Sequence, residues 1–164
     1  MSVFRITVPV LLLVLASAAC GAFGSGGAVE LDAVGAAAGS RWNATLSSPA
    51  ALAGVVQMNG TASMAPSPDS TSTIITINLA NASPGGIHPW EVRSGECGAA
   101  SRATTFGPSD AYEPLEVDSD GRANSTVTID SRIPTTGRYS AVVLASTAND
   151  RTIVACGNLA APTR

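Results

Sequence analysis

The chain has little histidine, few aromatic side chains and little charge. Of its 164 residues, one is histidine, 4% are aromatic and 13% are charged. Because 45% of the residues are hydrophobic and so few are aromatic, we expect a core of small aliphatic and β-branched side chains. The nine basic residues are scattered and the net charge is −3, which argues against a nucleic-acid-binding surface. The length suits one domain.

The N-terminus, residues 1–19, is predicted to be a secretory signal peptide. Its apolar run, residues 6–15, is too short to cross a membrane, and small residues follow it. Cys20 comes next, so the segment resembles a bacterial lipoprotein signal, in which this cysteine is lipidated and becomes the mature N-terminus. Ser17 departs from that pattern, since leucine is usual there. Cleavage by an ordinary signal peptidase shortly before the cysteine is the alternative.

The segment after the signal is predicted to be a flexible tether. Residues 20–40 are rich in glycine, alanine and serine and have no strong periodicity. A lipid on Cys20 would make the membrane the partner of this end of the chain, and the folded domain would occupy residues 41–164. An exported protein with three cysteines also has one that no disulfide within the chain can use.

Beyond the tether, apolar and polar residues alternate. Trp42, Ala44 and Leu46 share one face of the first such segment, and polar residues share the other. Residues 72–79 and 122–130 alternate in the same way. A period of two indicates β-strands with one buried face.

Two later segments, residues 138–146 and 152–157, are apolar on both faces, as central strands are. Ser48 to Val55 suits a short turn, and Ser94 to Val117 suits a long loop. The turn signals between the strands are Asn59-Gly60, Ser83-Pro84-Gly85-Gly86, Asp120-Gly121 and Thr136-Gly137. Short strands with regular turns favour an all-β antiparallel sandwich or barrel.

Five motifs in order resemble the copper/zinc superoxide dismutase family, over roughly residues 55 to 160. They are PGGIHPWEVRSGECG, TFGP, VDSDGRANSTVTI, TGRYSAVVLAS and IVACGNL. The resemblance implies a Greek-key antiparallel β-barrel or sandwich. It also implies a disulfide from the long loop to the last strand, here Cys97 with Cys156, which an exported location permits. Cys20 would then be the cysteine left for the lipid.

The family's metal ligands are not present in this sequence. Glu91, Arg93, Thr105 and Leu144 stand at four positions where the resemblance implies copper-binding histidines. The region that would hold zinc, Pro108 to Leu115, is short and contains no histidine. Its acidic residues are Asp110 and Glu113. The position at which the resemblance implies a superoxide-steering arginine falls at Ile153, and Arg151 lies two residues earlier.

The side chains at those positions do not suit copper. Redox-active copper in an open site is typically held by several imidazoles, and this chain has one. A guanidinium such as that of Arg93 is always protonated and has no lone pair to donate. Glu91 and Arg93 lie two residues apart on one strand face and are predicted to form an ion pair. We therefore expect no catalytic residue, no cofactor and no metal ligand.

Other candidate sites have simpler interpretations. His88, the one histidine, is expected to hold the turn before its strand. Glu116, Asp118 and Asp120 resemble the start of a calcium loop, with acids at alternate positions, but the closing glutamate would fall at Val127. A polar turn at Asp120-Gly121 explains that stretch better. The acidic side chains of the long loop, which are expected to be solvated, are Asp110, Glu113, Glu116 and Asp118.

The sequence therefore predicts an exported, lipid-anchored superoxide dismutase-like domain without the copper and zinc ligands. We interpret it as a non-catalytic binding or structural module on the periplasmic or extracellular face of a bacterial cell envelope. One alternative is a divergent superoxide dismutase that uses another metal or ligand set. Another is a β-module of the chordin type. The sequence identifies no protein partner and allows a homodimer.

Overall fold

The computed structural model describes residues 40–98 and 103–162. The predicted signal peptide, the lipidation site Cys20 and all but the last residue of the predicted tether lie outside the described residues. Within the two described ranges, no helix is long and apolar enough to cross a membrane.

The described chain is built almost entirely of β-strands. Two short 3-10 helices, Ala50–Leu52 and Ser109–Ala111, interrupt them. The strands are β1 (Trp42–Ser47), β2 (Asn59–Pro66), β3 (Thr73–Ala80), β4 (Ile87–His88), β5 (Trp90–Ser94), β6 (Leu115–Glu116), β7 (Ala123–Ile129), β8 (Tyr139–Ser146) and β9 (Asn149–Leu159).

Seven of these strands form one curled antiparallel sheet. Their order in the sheet is β5-β8-β9-β1-β2-β3-β7, and β4 and β6 pair separately with each other. The large sheet curls into a half-barrel, so that its concave face can enclose a core. The predicted all-β antiparallel class is confirmed.

The core lies on the concave face, where the alternation predicted it. Along β1, β3 and β7 the apolar positions are buried and most of the polar positions between them are exposed. Two tryptophans, Trp42 and Trp90, anchor the core, each less than 3% exposed. Each indole N–H donates to a backbone carbonyl, that of Pro134 or Glu113, so neither ring buries an unpaired polar group.

The strand β8 is buried on both faces, as its uniformly apolar sequence predicts. Ala141 and Val143 belong to the main core. Val142 and Leu144 alternate with them and are also buried, at 1% and 5% exposure. The convex side of β8 is therefore covered as well.

Three predicted turns are present and one is not. The chain turns after β3, before β7 and before β8, with Gly85, Gly121 and Gly137 at positive φ. The predicted turn at Asn59-Gly60 is wrong, because both residues lie in β2 and pair with β1 and β3. Strand neighbours on both sides override the local turn preference.

The predicted loop regions are partly correct. The segment from Ser48 to Val55 contains the 3-10 helix Ala50–Leu52, as expected for a short turn. The interval from Ser94 to Val117 is not one loop, because it contains the second 3-10 helix and β6. Two residues make β6 too short to be found by its alternation.

Candidate functional site

The four positions where the resemblance implied copper ligands lie on or beside β5 and β8. On β5 the side chains of Trp90 and Val92 point into the core, so Glu91 and Arg93 point to the convex side. Glu91 pairs with Val142 of β8. Because directly paired residues share a face of the sheet, Glu91 stands beside the buried convex side of β8.

The segment that contains Thr105 runs alongside β5, so Thr105 lies next to Glu91 and Arg93. The Ser94 amide donates to the carbonyl of Thr104 at 2.9 Å, and the Phe106 amide donates to the carbonyl of Val92 at 2.8 Å. Arg93 and Thr105 form an antiparallel bridge between these two bonds. A short strand-like segment therefore extends the sheet edge next to β5.

Both carboxylate oxygens of Glu91 accept hydrogen bonds from these neighbours. The Arg93 Nε donates to Oε1 at 2.5 Å and the Thr105 Oγ1 donates to Oε2 at 2.5 Å. The side chains of Glu91 and Arg93 are 14% and 25% exposed. The predicted ion pair is present, and it is more buried than the weak pair expected for an exposed site.

Leu144, the fourth position, contributes through its backbone. Its side chain is buried and offers no donor atom. Its amide donates to the carbonyl of Pro89 at 2.8 Å. Its carbonyl oxygen lies 3.0 Å from Nδ1 of His88, and because a carbonyl can only accept, Nδ1 is the donor.

His88 therefore ties β4 to β8, across 56 residues of sequence. It is 7% exposed and lies in β4. The expectation that it holds the turn before its strand did not include this bond to Leu144. Its Nε2 is buried without a hydrogen-bond partner among the described atoms. A methyl group at Gly86 would lie 2.9 Å from that nitrogen, so the glycine allows the ring to pack there.

A buried tyrosine that the sequence analysis missed lies near Glu91. The Tyr112 hydroxyl donates to the carbonyl of Phe106 at 2.6 Å, and its ring meets Trp90 edge-on at a centroid distance of 5.0 Å. Burial raises the pKa of Tyr112 and the negative charge of Glu91 raises it further, against the effect of a backbone hydrogen bond to Val92. Tyr112 therefore stays a neutral donor. The sequence around Tyr112 is polar, so nothing in it predicted that this side chain is buried.

A disulfide ties the chain after β5 to the large sheet. It joins Cys97 to Cys156 of β9, with 5.9 Å between the Cα atoms, as the resemblance implied. The Cys97 amide donates to the Asn158 side chain at 2.7 Å. Cys156 pairs with Val142, so the bond is made over the face that carries Glu91.

The acidic residues of the long connection do not gather into a site. Asp110, Glu113, Glu116 and Asp118 are exposed, as expected for solvated acids. The Oδ1 atom of Asp118 accepts from the amides of Asp120 and Arg122 at 2.9 Å each, which makes it part of the predicted polar turn.

The steering arginine has no counterpart at its expected position. Ile153, which stands there, pairs with Leu144. Arg151 is exposed near the start of β9. In the part of the chain that the structure describes, no three histidine, cysteine, aspartate or glutamate side chains lie close enough together to hold a metal ion.

The residues of this site do not fit copper or zinc. The one carboxylate, Glu91, has a donor on each oxygen, and the Arg93 guanidinium beside it would repel a cation. The side chain of Leu144 has no atom that can bind a metal, and the one histidine of the chain bonds to the Leu144 carbonyl instead.

Comparison with known proteins finds no relative: no protein-family model matches the chain, and neither does any curated protein.

Proposed function

We propose that this protein is a superoxide dismutase-like domain of the bacterial cell envelope that has lost its metal site and acts as a non-catalytic binding or structural module. The observation that supports this proposal most directly is that Glu91 accepts hydrogen bonds from both Arg93 and Thr105. Three of the four positions at which the resemblance implies copper ligands are thereby bonded to one another. Such a network stabilises a surface and supplies no open coordination position.

The strand arrangement supports the Greek-key part of this proposal. β1, β2 and β3 are consecutive antiparallel neighbours, and β9 returns after a long excursion to pair with β1. A later strand that lies beside the first of three successive strands is the mark of a Greek key. The disulfide to β9 also matches what the resemblance implies for the family.

A metal-retention experiment tests the proposal. The full-length protein is offered copper and zinc, desalted, and assayed for metal per chain by mass spectrometry. We expect no stoichiometric retention by the native protein or by Arg93→His, because one added imidazole does not complete a ligand set. Arg138→His, at an exposed arginine paired with Glu96, controls for binding by any new histidine. Retention of one copper per native chain would overturn the proposal.

The envelope location rests on the N-terminal sequence, which lies outside the described residues. We propose that Cys20 is lipidated and holds the domain at the membrane. The disulfide is compatible with an oxidising compartment. Intact-mass analysis of the native protein from the membrane fraction tests this, and a mature protein with an unmodified Cys20 would contradict it.

A further inference from the structure

A shallow groove runs along β2 on the convex face of the large sheet. Its volume is about 480 Å³. Two small side chains of β2, Thr61 and Ser63, lie at its centre, and β1 and β3 stand on either side because both pair with β2. The polar strand residues that line this β2 groove are Asn43, Thr45, Thr61, Ser63, Thr76 and Asn78.

The strand register arranges these six side chains in two rows across the sheet. One row is Asn43, Ser63 and Thr76, and the other is Thr45, Thr61 and Asn78. Directly paired residues, and residues two apart on one strand, share a face of a sheet. All six therefore point outward, opposite to the buried side chains of Ala62 and Ile77 between them.

The side chains of the β2 groove are free to bond to a ligand. Thr76 shares a hydrogen bond of 3.2 Å with Thr126 of β7. Within the described chain, the other five form no side-chain hydrogen bond with the protein. Each amide or hydroxyl group can offer both donor and acceptor atoms. This differs from the site at Glu91, where the polar side chains bond to one another.

The β2 groove offers a ligand side chains and no backbone groups. Between Asn59 and Met64, β2 pairs with β1 on one side and β3 on the other, so its amides and carbonyls are bonded within the sheet. An extended peptide is held mainly by backbone bonds at a sheet edge, which this position cannot supply. The lining contains no aromatic residue. A ligand here must bring its own donors and acceptors, as the hydroxyl groups of a sugar do.

One end of the β2 groove carries the only charge of its lining. Arg41 lies just before β1 and is exposed. Among the described residues, no carboxylate forms an ion pair with it. A guanidinium can bond to a carboxylate through two parallel N–H donors. The charge of the groove therefore matches a ligand that is neutral along its length and acidic at one end.

We propose that the β2 groove binds a short oligosaccharide in which neutral sugars are joined to one acidic sugar. The hydroxyl groups of the neutral sugars exchange hydrogen bonds with the two rows, and the carboxylate meets Arg41. This inference rests on the binding role proposed above and names its ligand. It does not rest on the lost metal site, because β8, β9 and β1 separate β2 from β5. Sugar binding and metal retention are measured separately, so either can fail alone.

Sugar binding to the full-length protein tests the inference. The probes are trisaccharides of glucose, galactose, mannose or N-acetylglucosamine, each prepared with and without a terminal glucuronic acid, and nitrogen-15 NMR follows the titrations. We expect at least one series to shift the amide signals of Thr61 and Ser63. Its affinity should lie in the millimolar range, because no aromatic ring stacks on the sugar. The acidic member should bind about two- to fivefold more tightly, as an exposed charge pair allows.

Protein variants locate the binding. Ser63→Leu fills the centre of the β2 groove and should weaken binding by at least about tenfold. Thr128→Leu, at an exposed position of β7 outside the groove, should leave it unchanged. Arg41→Gln should remove the preference for the acidic member, whereas Arg151→Gln, at an exposed arginine of β9, should not. Thermal unfolding checks that each variant is folded.

Several results would overturn the inference. No shift with any member of the panel would show that the groove binds none of these sugars. Equal binding by the native protein and by Ser63→Leu would place the sugar elsewhere. Equal affinity for the acidic and neutral members would contradict the role of Arg41. A dimer in light scattering that Thr61→Arg dissociates would mean that a second copy covers this face.

Discussion

The candidate site depends on Glu91, because each of its carboxylate oxygens accepts a hydrogen bond from another side chain of the protein. Thr105→Val removes the donor to Oε2 without changing the side chain's shape. A mostly buried carboxylate oxygen would then lack a partner, so the free energy of unfolding should fall by about 1–3 kcal/mol. Urea denaturation measures this. Thr104→Val, at the exposed neighbour, should have almost no effect, and equal losses in the two variants would contradict the bond to Glu91.

A second residue with a defined electrostatic role is Asp69, in the turn between β2 and β3. Hydrogen bonds from Ser67 and from the amide and hydroxyl of Thr71 lower the pKa of Asp69 from 3.8 to about 2. These hydrogen bonds stabilise the folded protein fully at pH values above 3.8, and the stabilisation is lost as the pH falls towards 2. Carbon-13 NMR of the carboxyl group should show a midpoint near 2, and Ser67→Ala should raise it. A midpoint at the ordinary value in the native protein would show that the bonds do not form.

For individual residues, the sequence predicted a contact between side chains on the same strand but not the contacts between different segments of the chain. The pairing of Glu91 with Arg93 followed from their spacing, because residues two apart share a strand face. Thr105 was placed among the four candidate positions by the resemblance, but its bond to Glu91 was not predicted. The bond of His88 to Leu144 spans 56 residues and the ring of Tyr112 meets Trp90 of β5, and no local pattern encodes either contact.

Among the elements, β2 shows most clearly how tertiary neighbours decide local structure. Gly60 lies where an added methyl group would stand 2.1 Å from the Asn78 carbonyl of β3. Gly60→Ala should therefore push β2 and β3 apart and lower the free energy of unfolding by about 1–3 kcal/mol or more. Thermal unfolding and amide exchange along β3 measure the effect. Gly54→Ala has open space but a positive φ, so it should cost only about 1 kcal/mol and leave β3 exchange unchanged. Unchanged β3 exchange in Gly60→Ala would contradict the close approach.

Strands with one buried face were predictable and short or crowded elements were not. The alternation over β1, β3 and β7 reports burial directly, because each strand has one face in the core. β6 is too short for a pattern. In β2 the Asn59-Gly60 pair is typical of a hairpin turn, but here the glycine is needed for space between strands.

For the whole molecule, the disulfide is the strongest single link between the long connection and the sheet. Cys97 and Cys156 are separated by 59 residues, and chain entropy predicts about 4 kcal/mol for a loop of that size. Replacing both cysteines by serine should lower the free energy of unfolding by about that amount in urea. Reduction of the native protein with a thiol reagent serves as the control and should lower the free energy of unfolding by a similar amount. Peptide mapping under non-reducing conditions that found two free thiols at Cys97 and Cys156 would contradict the link.

The order of the strands could not be derived from periodicity. Alternation tells which residues face the core, but any pairing of the strands would satisfy it. The disulfide was anticipated only through the resemblance of five short motifs, and the pairing of β9 with β1 was not predicted. The β2 groove was not anticipated, because it depends on which strands lie side by side after folding.

Superoxide consumption after metal loading tests the central claim most directly. The native protein is incubated with copper and zinc, desalted, and its rate of superoxide consumption is compared with that of a buffer sample carried through the same steps. Dismutation needs a metal held open to solvent and a positive group that guides the anion, and the site offers Glu91 bonded to Arg93 and Thr105 instead. We predict a rate equal to the background. A rate well above it, with one copper retained per chain, would contradict the loss of the metal site and identify the protein as an enzyme.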